Sequence, residues 1–192
     1  METAAMPAAT PKPTTPGAGA DRTSLAWAVL ETVPDPEIPV VSIRDLGILR
    51  GIGTDADGTL EVVITPTYSG CPAMAQIAQD IGAALDGAGL APWRIRTALA
   101  PAWSTDWISP AGRARLRDFG IAPPGACGSG QEGGAARPLR FVPGAAGTRE
   151  AVACPRCGSL HTQELARFAS TACKALYRCL DCREPFDYFK PY

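Results

Sequence analysis

The chain has 192 residues, a formal net charge of −1 and a hydrophobic share of 46%. That balance excludes a broadly basic nucleic-acid binder and a highly charged chain without a core, and no apolar run approaches the ~20 residues of a membrane span. Seven cysteines are an odd number, and the paired Cys-x-x-Cys spacing of four of them points to metal in a reducing compartment, hence to a cytoplasmic location.

Residues 1–20 are mostly Ala, Pro, Thr and Gly, too poor in large side chains to offset the entropy of ordering, and are expected to form a disordered tail. The N-terminus shows no basic region followed by an apolar core, so no secretory signal is expected. A helix is expected over Leu25–Thr32, capped by Asp21, Thr23 or Ser24. Leu25, Ala28 and Val29 would form its buried face, with Trp27 and Leu30 as a second contact. Pro34 stops it, because a residue before proline is pushed out of the α region. The next segment, Val33 to Pro39, has three prolines in six residues and reads as an extended loop carrying Asp35 and Glu37. A strand is expected near Leu46–Ile52, with Gly47 marking a bulge or a close approach. Asp57-Gly58 signals the hairpin turn to a β-branched strand over Leu60–Thr65.

Tyr68-Ser69-Gly70-Cys71-Pro72 then joins that strand to a helix whose apolar positions are Met74, Ile77, Ala78, Ile81 and Leu85. Pro72 suits the start of the helix. Cys71 therefore sits at a strand-to-helix turn, where the helix dipole and free N–H groups favour a thiolate. Such a sulfur can hold a soft metal or attack an electrophile; a small packing cysteine is the other reading. The helix ends near Gly87. Trp93 to Leu99 alternates as a third strand, with Trp93, Ile95, Thr97 and Leu99 on one side. An aromatic loop over Trp103–Ile108 leads to a last helix, Ala111–Phe119, with Leu116 as its main buried side chain. Residues 21–121 thus read as an α+β domain, a small mixed α/β-layer unit large enough for a modest core. Residues 122–150, rich in Gly, Ala and Pro, read as a flexible linker in which Cys127 is an incidental thiol.

Residues 151–192 read as a zinc ribbon. Cys154-Pro155-Arg156-Cys157 and Cys179-Leu180-Asp181-Cys182 are two knuckles that aim four sulfurs at one centre, which suits a structural Zn²⁺. A rubredoxin-like iron site is the main rival. Strand-like segments run over Leu160–Arg167, Ala175–Leu180 and Phe186–Phe189. A span this short depends on its metal for folding energy. Arg183 stands where a knuckle usually has glycine. Cys173 lies outside the knuckle spacing, and His161, the one histidine, reads as a satisfied strand residue. The mixed charges of the ribbon argue against nucleic acid as a partner.

Two blocks carry a family resemblance. Asp35-Pro36-Glu37-Ile38-Pro39 with Asp45-Leu46-Gly47, followed by Thr65 to Pro72, resembles the domain of unknown function 59, which includes iron–sulfur cluster assembly factors. With Phe168 to Cys179 and Glu184 to Lys190 added, the chain resembles the PaaD family, the fourth protein of the bacterial phenylacetyl-CoA epoxidase system. The resemblance implies an accessory protein, not the oxidising enzyme, that matures or inserts an iron–sulfur or diiron centre of the oxygenase or reductase subunits. It implies Cys71, Asp35 and Glu37 as the site handling transient iron or a cluster, Cys154, Cys157, Cys179 and Cys182 as zinc ligands, and the oxygenase and reductase subunits as partners. One thiolate cannot hold a cluster alone, so sharing across a homodimer is one arrangement that would complete the site. A structural adaptor that docks oxygenase subunits through the ribbon is the alternative. A cysteine nucleophile needs a base, and the one histidine lies in the other domain, which weighs against an enzyme.

Overall fold

The computed structural model describes residues 18–125 and 151–192; the readings of residues 1–17, of most of the linker and of Cys127 lie outside them. Helix α1 (Ala18–Leu30) is followed by β1 (Leu49–Thr54), β2 (Leu60–Ile64), α2 (Ala73–Gly87) and β3 (Trp93–Thr97). A single 3-10 turn, α3 (Pro110–Phe119) and the two-residue strand β4 (Ile121–Ala122) close the first half. The second half consists of β5 (Thr162–Ala166), β6 (Lys174–Cys179) and β7 (Pro185–Phe189).

The first sheet has the order β1-β2-β3. β1 and β2 form the expected antiparallel hairpin, with Asp57 accepting the Thr59 N–H at its turn. β3 returns parallel to β2 after α2, as a strand–helix–strand connection requires. Ile77, Ile81 and Leu85 of α2 are fully buried against Leu60, Val62 and Ile64, so the three-and-four spacing read in the sequence is the packed face. Near the end of α3, Leu116 is fully buried, as expected.

Several boundaries differ from the sequence reading. α1 starts at Ala18, inside the segment read as tail. Its buried residues are Ala26 and Leu30, whereas Leu25 is half-exposed and Ala28 exposed. The Arg22 guanidinium explains the orientation: it donates to the carbonyls of Gly58 (2.6 Å) and Leu90 (2.9 Å), pinning one side of the helix to two loops. β1 begins at Leu49 because the chain turns at Gly47, whose φ is +69°. A Cβ there would lie 2.6 Å from the Trp107 Cβ, so both backbone and space require glycine. Thr97 is exposed and Leu99 lies beyond β3, also exposed; the alternation read there ends with the strand.

The second sheet has the order β4-β7-β6-β5. Its outermost member, β4, comes from the first half of the chain and pairs parallel with β7, Ile121 opposite Asp187 and Ala122 opposite Tyr188. The halves therefore share a sheet, and they share a core as well. Cys173 and Phe189 belong to the same buried cluster as Leu46, Ile64 and Ile77. Trp103 packs on Phe189 and Tyr192 with ring centroids 5.9 and 6.3 Å apart, while its indole N–H donates to the Leu46 carbonyl (2.9 Å). The glycine-rich linker alone suggests two separate units; the shared sheet and core join them. A second, smaller cluster of Ala122, Val152, Ala175, Phe186 and Tyr188 surrounds the ribbon cysteines.

Asp45 ties the loop before β1 to α3. Its carboxylate accepts from the Ser42 N–H and the Ser109 hydroxyl and pairs with Arg115. Burial works to raise its pKa, but the Ser42 and Ser109 hydrogen bonds and the Arg115 charge together hold it below its ordinary value.

Candidate functional site

Two cysteine sites of different character emerge. In the ribbon, the sulfurs of Cys154, Cys157, Cys179 and Cys182 all lie within 4.8 Å of one another. Cys154 Sγ is 3.7 Å from Cys182 Sγ, and Cys157 Sγ is 3.6 Å from Cys179 Sγ. A tetrahedron with Zn–S bonds of about 2.3 Å has edges of about 3.8 Å, so the donor set fits zinc. The turn at each knuckle takes a positive φ, +77° at Gly158 and +68° at Arg183. Arg183 thus occupies the left-handed conformation at some steric cost, where the first knuckle uses glycine. The Cys182 N–H points at the Cys179 sulfur (3.5 Å). The N–H groups of Cys182 and Asp181 lower the Cys179 pKa to about 6, whereas, against the Glu184 N–H, desolvation and the neighbouring sulfurs push Cys182 up to about 12. His161 is exposed and paired with Asp181 at 3.1 Å, as a satisfied surface residue rather than a ligand.

The second site lies between the halves. β2 ends at Ile64, the buried residues Thr65 to Thr67 follow, and the Cys71 N–H donates to the Tyr68 carbonyl (3.1 Å) before Pro72 opens α2. Cys71 is half-buried at this turn. The Ala73 N–H at the helix start and the Thr67 hydroxyl both favour its ionised form. They do not prevail. Burial is the largest influence, the Glu37 and Asp35 carboxylates add to it, and the Cys71 pKa is raised. The thiolate expected at this turn is thus corrected: the dipole at a helix start is outweighed by desolvation and two acids.

Asp35 and Glu37 both reach this neighbourhood. Asp35 is buried, and its Oδ1 accepts from the N–H groups of Glu37 (2.9 Å) and Ile38 (2.8 Å), shaping the proline-rich loop. Burial raises its pKa above the ordinary value, against those hydrogen bonds and the Lys174 charge. Glu37 is partly exposed, and its carboxyl is raised first by burial and then by Asp35. Lys174, buried in the ribbon and paired with Asp187 at 3.3 Å, is the nearby cation whose charge bears on both acids. Cys173, beside it, belongs to the same neighbourhood: the charges of Glu37 and Cys71 both bear on its thiol. Sequence spacing gives no reason to place Cys173 here, because it is brought by the fold of the ribbon and not by any local motif. A pocket of about 410 Å³ adjoins the turn, lined by Thr67, Tyr68, Leu99, Trp103 and Tyr192.

A half-buried thiol beside two carboxylates, fused to a closed four-sulfur centre, defines a two-part protein: an iron–sulfur-assembly-type domain with a zinc ribbon. Residues 26–91 match the family described as "Iron-sulfur cluster assembly protein", and residues 141–190 match the "PaaD zinc beta ribbon domain". The chain belongs to the PaaD family: it is 46% identical over 164 residues to an Escherichia coli protein named as a subunit of a "Putative 1,2-phenylacetyl-CoA epoxidase", covering 85% of this chain and 90% of that one. It is also 35% identical over 82 residues to a Porphyromonas gingivalis "Fe-S protein maturation auxiliary factor", covering 42% of this chain and 77% of the relative. A crystal structure of a domain of unknown function 59 from Bacillus anthracis superposes with a TM-score of 0.47 at 26% identity, over 51% of this chain and 93% of that one. No helix among the described residues is long and apolar enough to cross a membrane.

Proposed function

We propose that this chain is an accessory protein of the phenylacetyl-CoA epoxidase system, acting in the cytoplasm to mature or insert an iron–sulfur or diiron centre of the oxygenase or reductase subunits. Cys71 is the sulfur that carries iron or a cluster in transit, with Asp35 and Glu37 beside it as oxygen donors or orienting groups. The ribbon zinc is structural.

One observation carries this reading. The ribbon centre has four sulfurs within 4.8 Å of one another, a closed set with no open position for cargo. The handling of a transient metal then falls to Cys71, the half-buried thiol set against carboxylates. Thiolate and carboxylate together suit iron. The relationship to an epoxidase subunit and to a maturation auxiliary factor supports the same direction. A raised pKa fits a carrier, because a neutral thiol releases metal readily and binds it by giving up a proton.

The test is anaerobic purification of the full chain and its Cys71→Ser variant, each co-expressed with the oxygenase, followed by metal, sulfide and activity measurement. Iron bound by the wild type and lost in the variant, together with loss of oxygenase activity, is the expected result. Zinc alone in both proteins, with undiminished oxygenase activity, would overturn the reading and leave a docking adaptor.

A further inference from the structure

We propose that the pocket beside the Cys71 turn is a binding site for a small uncharged aromatic molecule, with the ring laid among Tyr68, Trp103 and Tyr192. The inference stands apart from the maturation reading, because it concerns a cavity where the two halves meet and not the sulfur.

The shape of the cavity is the first reason. Buried residues line its base, Thr65 at 3%, Thr67 at 8% and Trp103 at 5% exposure, whereas Leu99 at 63% and Tyr192 at 42% stand at its rim. It is a depression that reaches the main core, not a flat apolar face. Its volume of about 410 Å³ lies within the range of about 300–1,000 Å³ usual for small-molecule sites. A cavity of about 150 Å³ already admits benzene, so this one takes a ring with a short substituent. The walls are held in place. Trp103 donates to the Leu46 carbonyl and meets the Tyr192 ring at 67°, 6.3 Å away. The Tyr192 hydroxyl donates to the Ala172 carbonyl (3.1 Å), and its own carbonyl accepts the Thr105 N–H (3.3 Å).

The lining sets the ligand. Among the described residues, no Asp, Glu, Lys, Arg or His lines the cavity, so an ion entering it would give up its hydration with no counter-charge in return. Both phenols keep their protons, because burial raises Tyr68 and Tyr192 above their ordinary values. Three aromatic side chains favour a further aromatic ring, which gains stacked or edge-to-face contacts that a saturated ring does not. Thr67 and Ser69 add hydroxyls to the lining, which suit one hydrogen-bonding substituent such as an amide. Tyr68 links the pocket to the thiol: it lines the cavity, and its carbonyl accepts the Cys71 N–H at 3.1 Å. A filled pocket therefore stiffens this turn and slows access to Cys71.

Benzamide, benzoate and cyclohexanecarboxamide form a matched set of probes. Each is titrated into the zinc-loaded full chain while the Trp103 indole N–H resonance is followed. Benzamide should shift that resonance saturably, and the other two should bind at least tenfold more weakly. Ala102→Trp fills the cavity and Leu99→Glu sets a charge at its mouth; both positions are exposed, so the fold is kept. Each variant should weaken benzamide binding at least tenfold with an unchanged melting temperature. No shift up to the solubility limit of benzamide, or undiminished binding in Ala102→Trp, would overturn the site. Benzoate binding as tightly as benzamide would overturn the uncharged assignment, and cyclohexanecarboxamide doing so would overturn the aromatic one. Iodoacetamide labelling of Cys71 gives a second readout. Benzamide should slow it in the wild type and not in Ala102→Trp; an unchanged rate with the pocket filled would remove the link to the Cys71 turn.

Discussion

The two cysteine sites of this molecule place the same side chain in different company. In the ribbon, four sulfurs within 4.8 Å of one another pull in different directions: the Cys182 and Asp181 N–H groups lower Cys179 to about 6, while, against the Glu184 N–H, desolvation and the other sulfurs push Cys182 up to about 12. At the Cys71 turn, burial and two acids outweigh the helix start and raise the thiol. The first gathers four sulfurs round one centre and closes a metal's coordination sphere; the second offers a half-buried thiol that keeps its proton until something displaces it. Reactivity of a cysteine follows from the sum of its surroundings, and a helix N-terminus is only one contribution.

The largest effect that separates the two sites is loss of the ribbon metal. Cys179→Ser should unfold the ribbon, since structural zinc supplies on the order of 10 kcal/mol in small zinc domains. Because Phe189 and Cys173 belong to the main core, the damage should spread to the first half. Circular dichroism melts with zinc quantification should show both losses together; an unchanged first-half transition would restore the picture of two independent units. Next is the seam itself. Trp103→Ala removes the contacts to Phe189 and Tyr192 and the bond to Leu46, and should cost about 3–5 kcal/mol in urea unfolding. A cost below about 1 kcal/mol would mean the seam is only a surface contact.

Asp45→Ala should cost about 1–3 kcal/mol, because the Ser42, Ser109 and Arg115 groups lose a buried acceptor. The sign of its pH dependence follows from a folded pKa below the ordinary 3.8. The stabilisation is present above the unfolded pKa of about 3.9 and is lost as pH falls through the folded value. Wild-type stability should therefore drop below about pH 4, and the Asp45→Asn chain should lack that part of the drop. The smallest effect concerns the Cys71 thiol. Iodoacetamide should modify it more slowly at neutral pH than an unperturbed thiol, with the rate rising at alkaline pH. Glu37→Gln removes a charge that opposes the thiolate, so the rate at neutral pH should increase severalfold. Rates by mass spectrometry decide it; an unchanged rate would show that Glu37 does not face the sulfur.

What is legible in the sequence is local. Two-residue gaps between cysteines fix a knuckle within a single turn, so the four zinc donors can be read directly. The spacing of Ile77, Ile81 and Leu85 fixes the buried face of α2 in the same way. The Asp57-Gly58 turn fixes the hairpin. What the sequence hides depends on distant partners. The face of α1 departs from its local pattern because Arg22 takes its carbonyls from residues near 58 and 90. β4 is invisible because two residues carry no periodicity, and only β7 makes them a strand. Cys173 carries no spacing signal, since its neighbours Cys71 and Glu37 are a hundred or so positions away. The pKa direction of Cys71 escapes for a related reason: the dipole is local, whereas burial comes from the whole fold.

The pairing of β4 with β7, and of Trp103 with Phe189 and Tyr192, also bears on how the protein is made. A ribosome delivers the first half well before the side chains that cover its indole. Until those side chains emerge and zinc folds the ribbon around them, Trp103 and the Cys71 turn stand open to solvent. Contacts this far apart in sequence form late. A nascent chain starved of zinc would therefore display its unfinished seam to chaperones and proteases. The folded protein then accumulates only when the zinc supply is sufficient to finish it.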